Sequence, residues 1–411
     1  MIATHRVYRA LLLLAAAAAA RADSSGMQMN MAGMLLMNQA SGTSMNPLSS
    51  PMPMFMPRLG SWNLMLMGQG FAVDTQQRGP RGGDKFYSPN WFMAGAGHRL
   101  GRGSFMVELM ISLEPATITN RFYPELFQTG ETAYGRPIID GQHPHNFIMG
   151  LGFDYVRPVA DGMLLQFYFA PVGDPALGPV AFPHRSSAAE LPQAPLGHHW
   201  QDSTHIADDV VTVALKRDWL RLEASGFHGA EPGENRWIIQ QGAIDSWSAR
   251  FSVFPSKNWM AQVSVGRLAH PELLEPGDVV RATASLHYSR PMADGRVWAS
   301  SLIWGRNHDT FTQRNLNSFL AESVLPVRGA NFLTGRFELV DKDELFASGN
   351  VYRIAAFIAG FTHDLPPLLR GVETGVGANV TAYRIPAEIT PYYGEHPFGF
   401  NIYVRFRLKP W

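Results

Sequence analysis

The sequence predicts an all-β protein: a transmembrane antiparallel up-and-down β-barrel of about sixteen strands, with short turns at one end and long loops at the other. Three observations predict it. Segments of two-residue apolar/polar alternation recur from Ser61 to the end of the 411-residue chain, and the connections between them alternate between tight and long. After the first twenty or so residues no stretch is apolar for long enough to cross a bilayer as a helix. A membrane-embedded chain must then close its strands into a barrel, because lipid offers no hydrogen-bond partner to an open edge.

At the front of the chain, Arg6 and Arg9 precede the apolar stretch Ala10 to Ala20, and Ala20-Arg21-Ala22 follows as a small-residue cleavage pattern. Residues 1–22 therefore read as a secretory signal. Residues 23–58 hold Met27, Met29, Met31, Met34, Met37, Met45, Met52, Met54 and Met56 among Ser, Asn, Gly and Pro. This span has neither helical nor strand period and is expected to be a flexible tail on the periplasmic side. The barrel is expected over 59–411.

Sixteen candidate strands follow, at about 61–74, 85–98, 104–114, 146–157, 163–171, 206–216, 219–228, 246–254, 259–268, 279–289, 296–306, 317–325, 331–341, 351–362, 371–383 and 399–408. Phe105, Val107, Leu109, Ile111 and Leu113 alternate with Ser104, Met106, Glu108, Met110 and Ser112. Trp247, Ala249, Phe251 and Val253 alternate with Ser248, Arg250 and Ser252. A soluble sandwich alternates in the same way. The connections separate the two. Leu100–Gly103, Pro158–Gly162, Arg217–Asp218, Pro255–Asn258 and Pro291–Asp294 are short, whereas 115–145, 172–205 and 229–245 are long and fall on the opposite parity. Trp62, Trp91, Trp219, Trp259 and Tyr288 stand near strand ends, where interfacial girdles form.

The last segment, Phe400-Asn401-Ile402-Tyr403-Val404-Arg405-Phe406-Arg407-Leu408, alternates without a slip, and the chain stops at Trp411. It resembles the closing strand of Gram-negative outer-membrane β-barrels. That resemblance implies the cell outer membrane, lipid as a partner, recognition of the terminal aromatic by the barrel-assembly machinery, and a monomer or trimer.

Composition narrows the function. A formal net charge of +0 with 17% charged residues excludes a nucleic-acid binder, and the absence of Cys excludes disulfides and thiolate metal sites. Sixteen strands leave a lumen. Glu108, Glu223, Arg250, Arg281, Arg336, Glu338, Glu373, Arg405 and Arg407 are expected to face it, either lining a pore or bridging the wall with ion pairs.

Histidine is concentrated, seven of 14 lying between 143 and 228. His143 and His145 end one long loop, and His184, His198, His199 and His205 fall in the next. Pro144 extends the chain at His143, so both imidazoles of the His-x-His unit can share an ion. Imidazole suits Zn²⁺ and Cu²⁺, and a carboxylate such as Asp202 can orient a ring. In the tail, Met27, Met29 and Met31, and Met52, Met54 and Met56, recur with thioether spacing suited to Cu(I) or Ag(I). A Met-rich segment joined to a barrel resembles the copper-resistance outer-membrane proteins of Gram-negative bacteria in architecture. That likeness implies soft-metal handling.

Three functions follow. The chain is expected to be a channel or metal-handling barrel tied to copper resistance, needing no cofactor but binding Cu or Zn through its loops or tail. The second is a porin for a small organic solute. The third is a rim hydrolase using Ser203, His205 and Asp202, although a nucleophile needs a base within reach that proximity in sequence does not supply, so no enzyme is expected.

Overall fold

The computed structural model describes residues 30–409. The expected signal, Met27, Met29 and Trp411 lie outside the described residues.

Long alternating segments become strands at Trp62–Arg78, Asn90–Leu100, Gly103–Ile111, Ile148–Ala160, Met163–Gly173, Ala207–Arg217, Leu220–His228, Ser246–Ser256, Trp259–Leu268, Val279–Pro291, Val297–Asp309, Asn315–Val327, Asn331–Lys342, Tyr352–Asp364, Val372–Arg384 and Phe398–Leu408. The main sheet has eighteen strand segments. Arg58–Leu59 is a two-residue stub, and Gly83–Tyr87 and Asn90–Leu100 both pair with Trp62–Arg78 as one interrupted strand, so sixteen staves remain. The first and last of them pair antiparallel, Gln69 opposite Arg407 and Arg78 opposite Phe398, which closes the barrel. All sixteen expected strands and the alternation of short turns with long loops are present.

The outer face is a belt of exposed apolar side chains, among them Leu109, Phe153, Phe169, Val213, Leu222, Phe251, Val263, Leu302, Phe337 and Ile402. So much contiguous apolar surface would be a liability in water, whereas in a bilayer it faces a solvent of its own kind. This is a membrane-spanning barrel. Trp62, Trp219 and Trp259 are exposed at the short-turn end, where a girdle is expected. Trp91 is the exception: it is buried and faces inward, its ring 4.3 Å from that of His184.

Residues 30–57, expected as a free tail, lie inside the barrel instead. Asn30 caps a short helix, Met31–Met37, through its side-chain oxygen to the amide of Gly33 at 2.8 Å. The helix buries Ala32, Leu35, Leu36 and Met37. The reason for this departure sits on the wall. Met65, Met67, Met93, Met106, Met110 and Met149 fall on inward positions of the staves, so one side of the interior is apolar, and the segment's own Met37, Met45 and Met54 pack onto it. Covering that thioether surface removes it from water, and unbranched Met side chains adapt to an irregular gap.

The span 115–145, read as a long loop, carries a hairpin of Tyr123–Ala133 and Arg136–Gln142 with two register shifts. Pro124, Gly130 and Gly135 break its alternation, and so hid it from a reading based on period.

Candidate metal centre

The loop 174–206 folds down into the barrel and is fastened to staves around most of the circumference. Ser225 and Ser264 accept from the amides of Ala176 and Gly178 at 2.8 and 2.9 Å. Arg250 donates to Gly178 O and binds Glu223 at 2.8 Å. Ser187 meets Ser301 at 2.6 Å, Glu338 accepts from Gly197 N at 3.0 Å, and Gln193 meets Asn379 at 3.2 Å. Arg185 binds Glu322 at 2.5 Å and Asp202 at 2.9 Å, while Arg336 holds the other oxygen of Glu322 at 2.9 Å. At the seam between first and last staves Arg405 pairs with Glu190, and Arg407 reaches Gln69 at 2.8 Å and Ala189 O at 2.9 Å. Glu373 meets Arg405 at 2.7 Å.

The nine charged residues expected to face the lumen thus do face inward. Eight of them hold the loop or each other; the ninth, Glu108, is buried against Gly152. The N-terminal segment is tied into the same network through Ser41 to Asp174, Arg250 to Thr43 at 3.0 Å, and Ser49 to Ser289 at 2.7 Å.

At the long-loop end this anchoring collects five of the expected histidines. His198 and His199 ride on a single helical turn, His198–Gln201, whose carbonyl at His199 is fixed by Arg281 at 2.6 Å and Asn307 at 3.1 Å. Ring centroids run His143 to His199 at 5.6 Å, His199 to His198 at 5.2 Å, His198 to His205 at 5.3 Å and His205 to His145 at 5.2 Å. Donor atoms of His143, His198 and His199 all lie within 4.8 Å of one another, as do those of His199, Glu231 and Glu272.

Each ring but that of His199 is oriented through Nδ1. His198 Nδ1 meets Asp202 Oδ1 at 2.6 Å, His145 Nδ1 meets Glu114 Oε1 at 2.9 Å, His205 Nδ1 meets Asp202 O at 2.8 Å, and His143 Nδ1 meets Pro144 O at 3.1 Å. An Nδ1–H that donates outward leaves the lone pair on Nε2, the arrangement by which carboxylates and carbonyls prepare histidine for a metal. His145 Nε2 and His205 Nε2 have no hydrogen-bond partner, nor has either ring nitrogen of His199. His143 Nε2 faces Glu131 Oε1 at 3.1 Å, lone pair to lone pair, a juxtaposition that a cation between them relieves.

Electrostatics agree. Burial, then the neighbouring imidazoles, holds His143 and His205 well below the ordinary histidine range, and burial brings His198 down to about 4 against the opposing pull of Asp202. Burial would raise Asp202, but His198 and then Arg185 outweigh it and keep this carboxylate ionised. Neutral imidazoles, one of them oriented by an ionised carboxylate, form a donor set for a borderline divalent cation.

Sequence reasoning missed Glu114, Glu131, Glu231, Glu272 and Arg236, which pairs with Glu131. Glu114 and Glu131 lie far back on the loop that ends in His143 and His145, the others on further loops, and no local spacing marks them. Glu131 stands at φ +60 and its neighbour Gly130 at φ +113. A Cβ on Gly130 would lie 2.6 Å from the His199 ring, so glycine there makes room for the imidazole.

The remaining expected site residues are dispersed. His184 is buried apart from the five, with both ring nitrogens unpartnered. Met31 and Met56 are exposed, Met54 is buried, and Met52 is half-buried with its sulfur 3.7 Å from Asn46 Nδ2. Ser203 accepts from Arg281 at 2.9 Å, while His205 turns to the backbone of Asp202, so Ser203, His205 and Asp202 form no relay.

No protein-family model matches the chain, and no curated protein matches it in sequence. Solved structures match in fold. An anion-selective porin from Comamonas acidovorans superposes with TM-score 0.52 at 10% identity, covering 84% of this chain and all (100%) of its own. Salmonella typhi OmpF in complex with daunomycin does so with TM-score 0.52 at 10% identity, over 86% of this chain and 100% of its own. Pseudomonas putida OprB at high pH gives TM-score 0.50 at 7% identity, over 85% and 94%. The chain has the porin-like fold of an outer-membrane barrel.

Proposed function

We propose that this barrel captures a borderline transition-metal cation, Zn²⁺ or Cu²⁺, at the imidazole cluster of its outer mouth, and that it serves metal handling of the kind copper resistance requires. One observation carries the reading: His143, His198 and His199 present donor atoms within 4.8 Å of one another, and oxygens already hold the rings of His143 and His198. Preorganisation of this sort has no purpose for a loop that merely narrows a channel. It lowers the cost of assembling a coordination sphere.

The test is metal titration of the detergent-solubilised barrel against a chromogenic chelator. His143→Ala and His199→Ala should each weaken Zn²⁺ or Cu²⁺ binding, and the double variant should lose less than the sum, since either change opens the same sphere. Strict additivity, or no binding by the wild type, refutes the proposal.

A second reading, a porin for a small organic solute, draws on the fold likeness and on a cavity of about 280 Å³ at the short-turn end. Conductance in planar bilayers that a sugar or amino acid blocks and copper leaves unchanged would favour it.

A further inference from the structure

Below the outer cluster the interior holds a second arrangement that the proposal above does not use. His184 is 1% exposed, and neither ring nitrogen has a partner. An imidazole in that position forfeits hydrogen bonds at both ends, a cost that protein interiors rarely leave uncompensated. The ring stands 4.3 Å from that of Trp91 and lines the 280 Å³ cavity together with Met52, Gln69 and Trp91. Asn46 joins the N-terminal segment to the long loop here: its Nδ2 donates to His184 O at 2.9 Å and contacts Met52 Sδ at 3.7 Å. The cavity continues to Gly295 and Lys409 at the short-turn end. On its other side a smaller cavity, lined by His143, His145 and Glu114, shares Gln69, Trp91 and Pro183 with it.

We infer that His184 and Met52 form a second, soft-cation site, an imidazole and a thioether lining one cavity beside the Trp91 indole, that takes a monovalent ion of the Cu(I) or Ag(I) class on the periplasmic side of the plug. The donor chemistry sets the class. Thioether sulfur selects soft d¹⁰ ions, imidazole completes a low coordination number, and the aromatic face favours a cation. The two carboxylates that line the cavity, Glu190 and Glu373, are each paired with Arg405 and Arg407, so neither is left as a charge partner for a hard or borderline divalent ion. Met52 comes from the same Met-rich span that suggests soft-metal chemistry in the sequence, yet its partner is an inward histidine of the long loop rather than a second methionine of the span.

The site stands independently of the outer cluster, and the experiment separates the two. Full-length barrel in detergent is titrated with Ag(I), a redox-inert probe, while tryptophan emission is followed. Ag(I) on His184 should quench Trp91, so wild type loses emission at substoichiometric to equimolar Ag(I) and Trp91→Phe loses the quenching. His184→Gln and Met52→Leu should each weaken Ag(I) binding by roughly 10–100-fold. His199→Ala should lose Zn²⁺ and keep the Ag(I) response. Unaltered Ag(I) affinity in Met52→Leu, or in a His184→Gln variant that retains heat-modifiable migration on gels, overturns the inference. If His184→Gln fails to fold, Met52→Leu and Trp91→Phe decide it alone.

Discussion

Gly130 and His199 touch so closely that the hydrogen on one Cα takes the place of a side chain: a methyl at 130 would stand 2.6 Å from the imidazole. The hairpin therefore shapes the outer cluster without donating a ligand from that position.

Gly130→Ala should displace the His199 ring and weaken Zn²⁺ binding, while leaving all five histidines in place. Gly135→Ala is the control, since Gly135 shares the positive φ, at +70, and has no atom within 4 Å. Chelator competition on both variants should show loss only in the first; equal losses would make backbone strain the cause.

Arg185 lies fully buried between Asp202 and Glu322. Arg185→Met leaves two carboxylates unbalanced and should cost about 3–5 kcal/mol, as removal of one partner of a buried pair does. The expected signs are protease cleavage within 174–206 and weaker metal binding, because Asp202 also orients His198. Resistance to protease equal to wild type would show the ladder to be dispensable.

Leu109 and Glu108 test the register. Leu109 is 41% exposed on the outer face and Glu108 is buried on the inner one. Leu109→Arg should cost about 2–4 kcal/mol near the midplane, read from urea titrations of folding into vesicles. Glu108→Gln, inside, should leave folding into lipid close to wild type; the opposite order would invert the faces.

The N-terminal segment fills part of the short-turn half of the interior against the inward methionines. A chain that keeps its first 25 residues and lacks 30–57 should conduct more in planar bilayers than the full chain, since Ser41, Thr43, Asn46 and Ser49 would no longer bridge loop and wall. Conductance indistinguishable from wild type would mean that 174–206 alone closes the lumen.

The staves were legible because a sheet with lipid on one side and a polar lumen on the other writes its period into every strand. The gathering of His143, His145, His198, His199 and His205 was legible for a related reason: loop parity puts both loops at the same end. Glu131, Glu231 and Glu272 were not, since Glu131 arrives from a hairpin twelve residues back on the loop of His143 and the other two from further loops, through backbone geometry that no spacing encodes. Trp91 misled because an aromatic at a strand end looks the same whether it faces lipid or lumen. The Met-rich span misled for a subtler reason. Its composition suits a solvated tail and an interior filler equally well, and the distinguishing fact, the inward methionines at 65, 67, 106 and 110, lies on other segments.

Arg407 touches Gln69 on the first stave and Ala189 on the loop, and Gln69 in turn donates to Ala189 O at 3.0 Å. The join that turns a sheet into a cylinder is therefore stitched by the plug itself. Were the cylinder to shut ahead of the loop, Arg405 and Arg407 would lose the Glu190 carboxylate and Gln69 would lose its carbonyl acceptor. Seating the loop and bonding the side chains of the seam therefore draw on the same three residues, Gln69, Arg405 and Arg407.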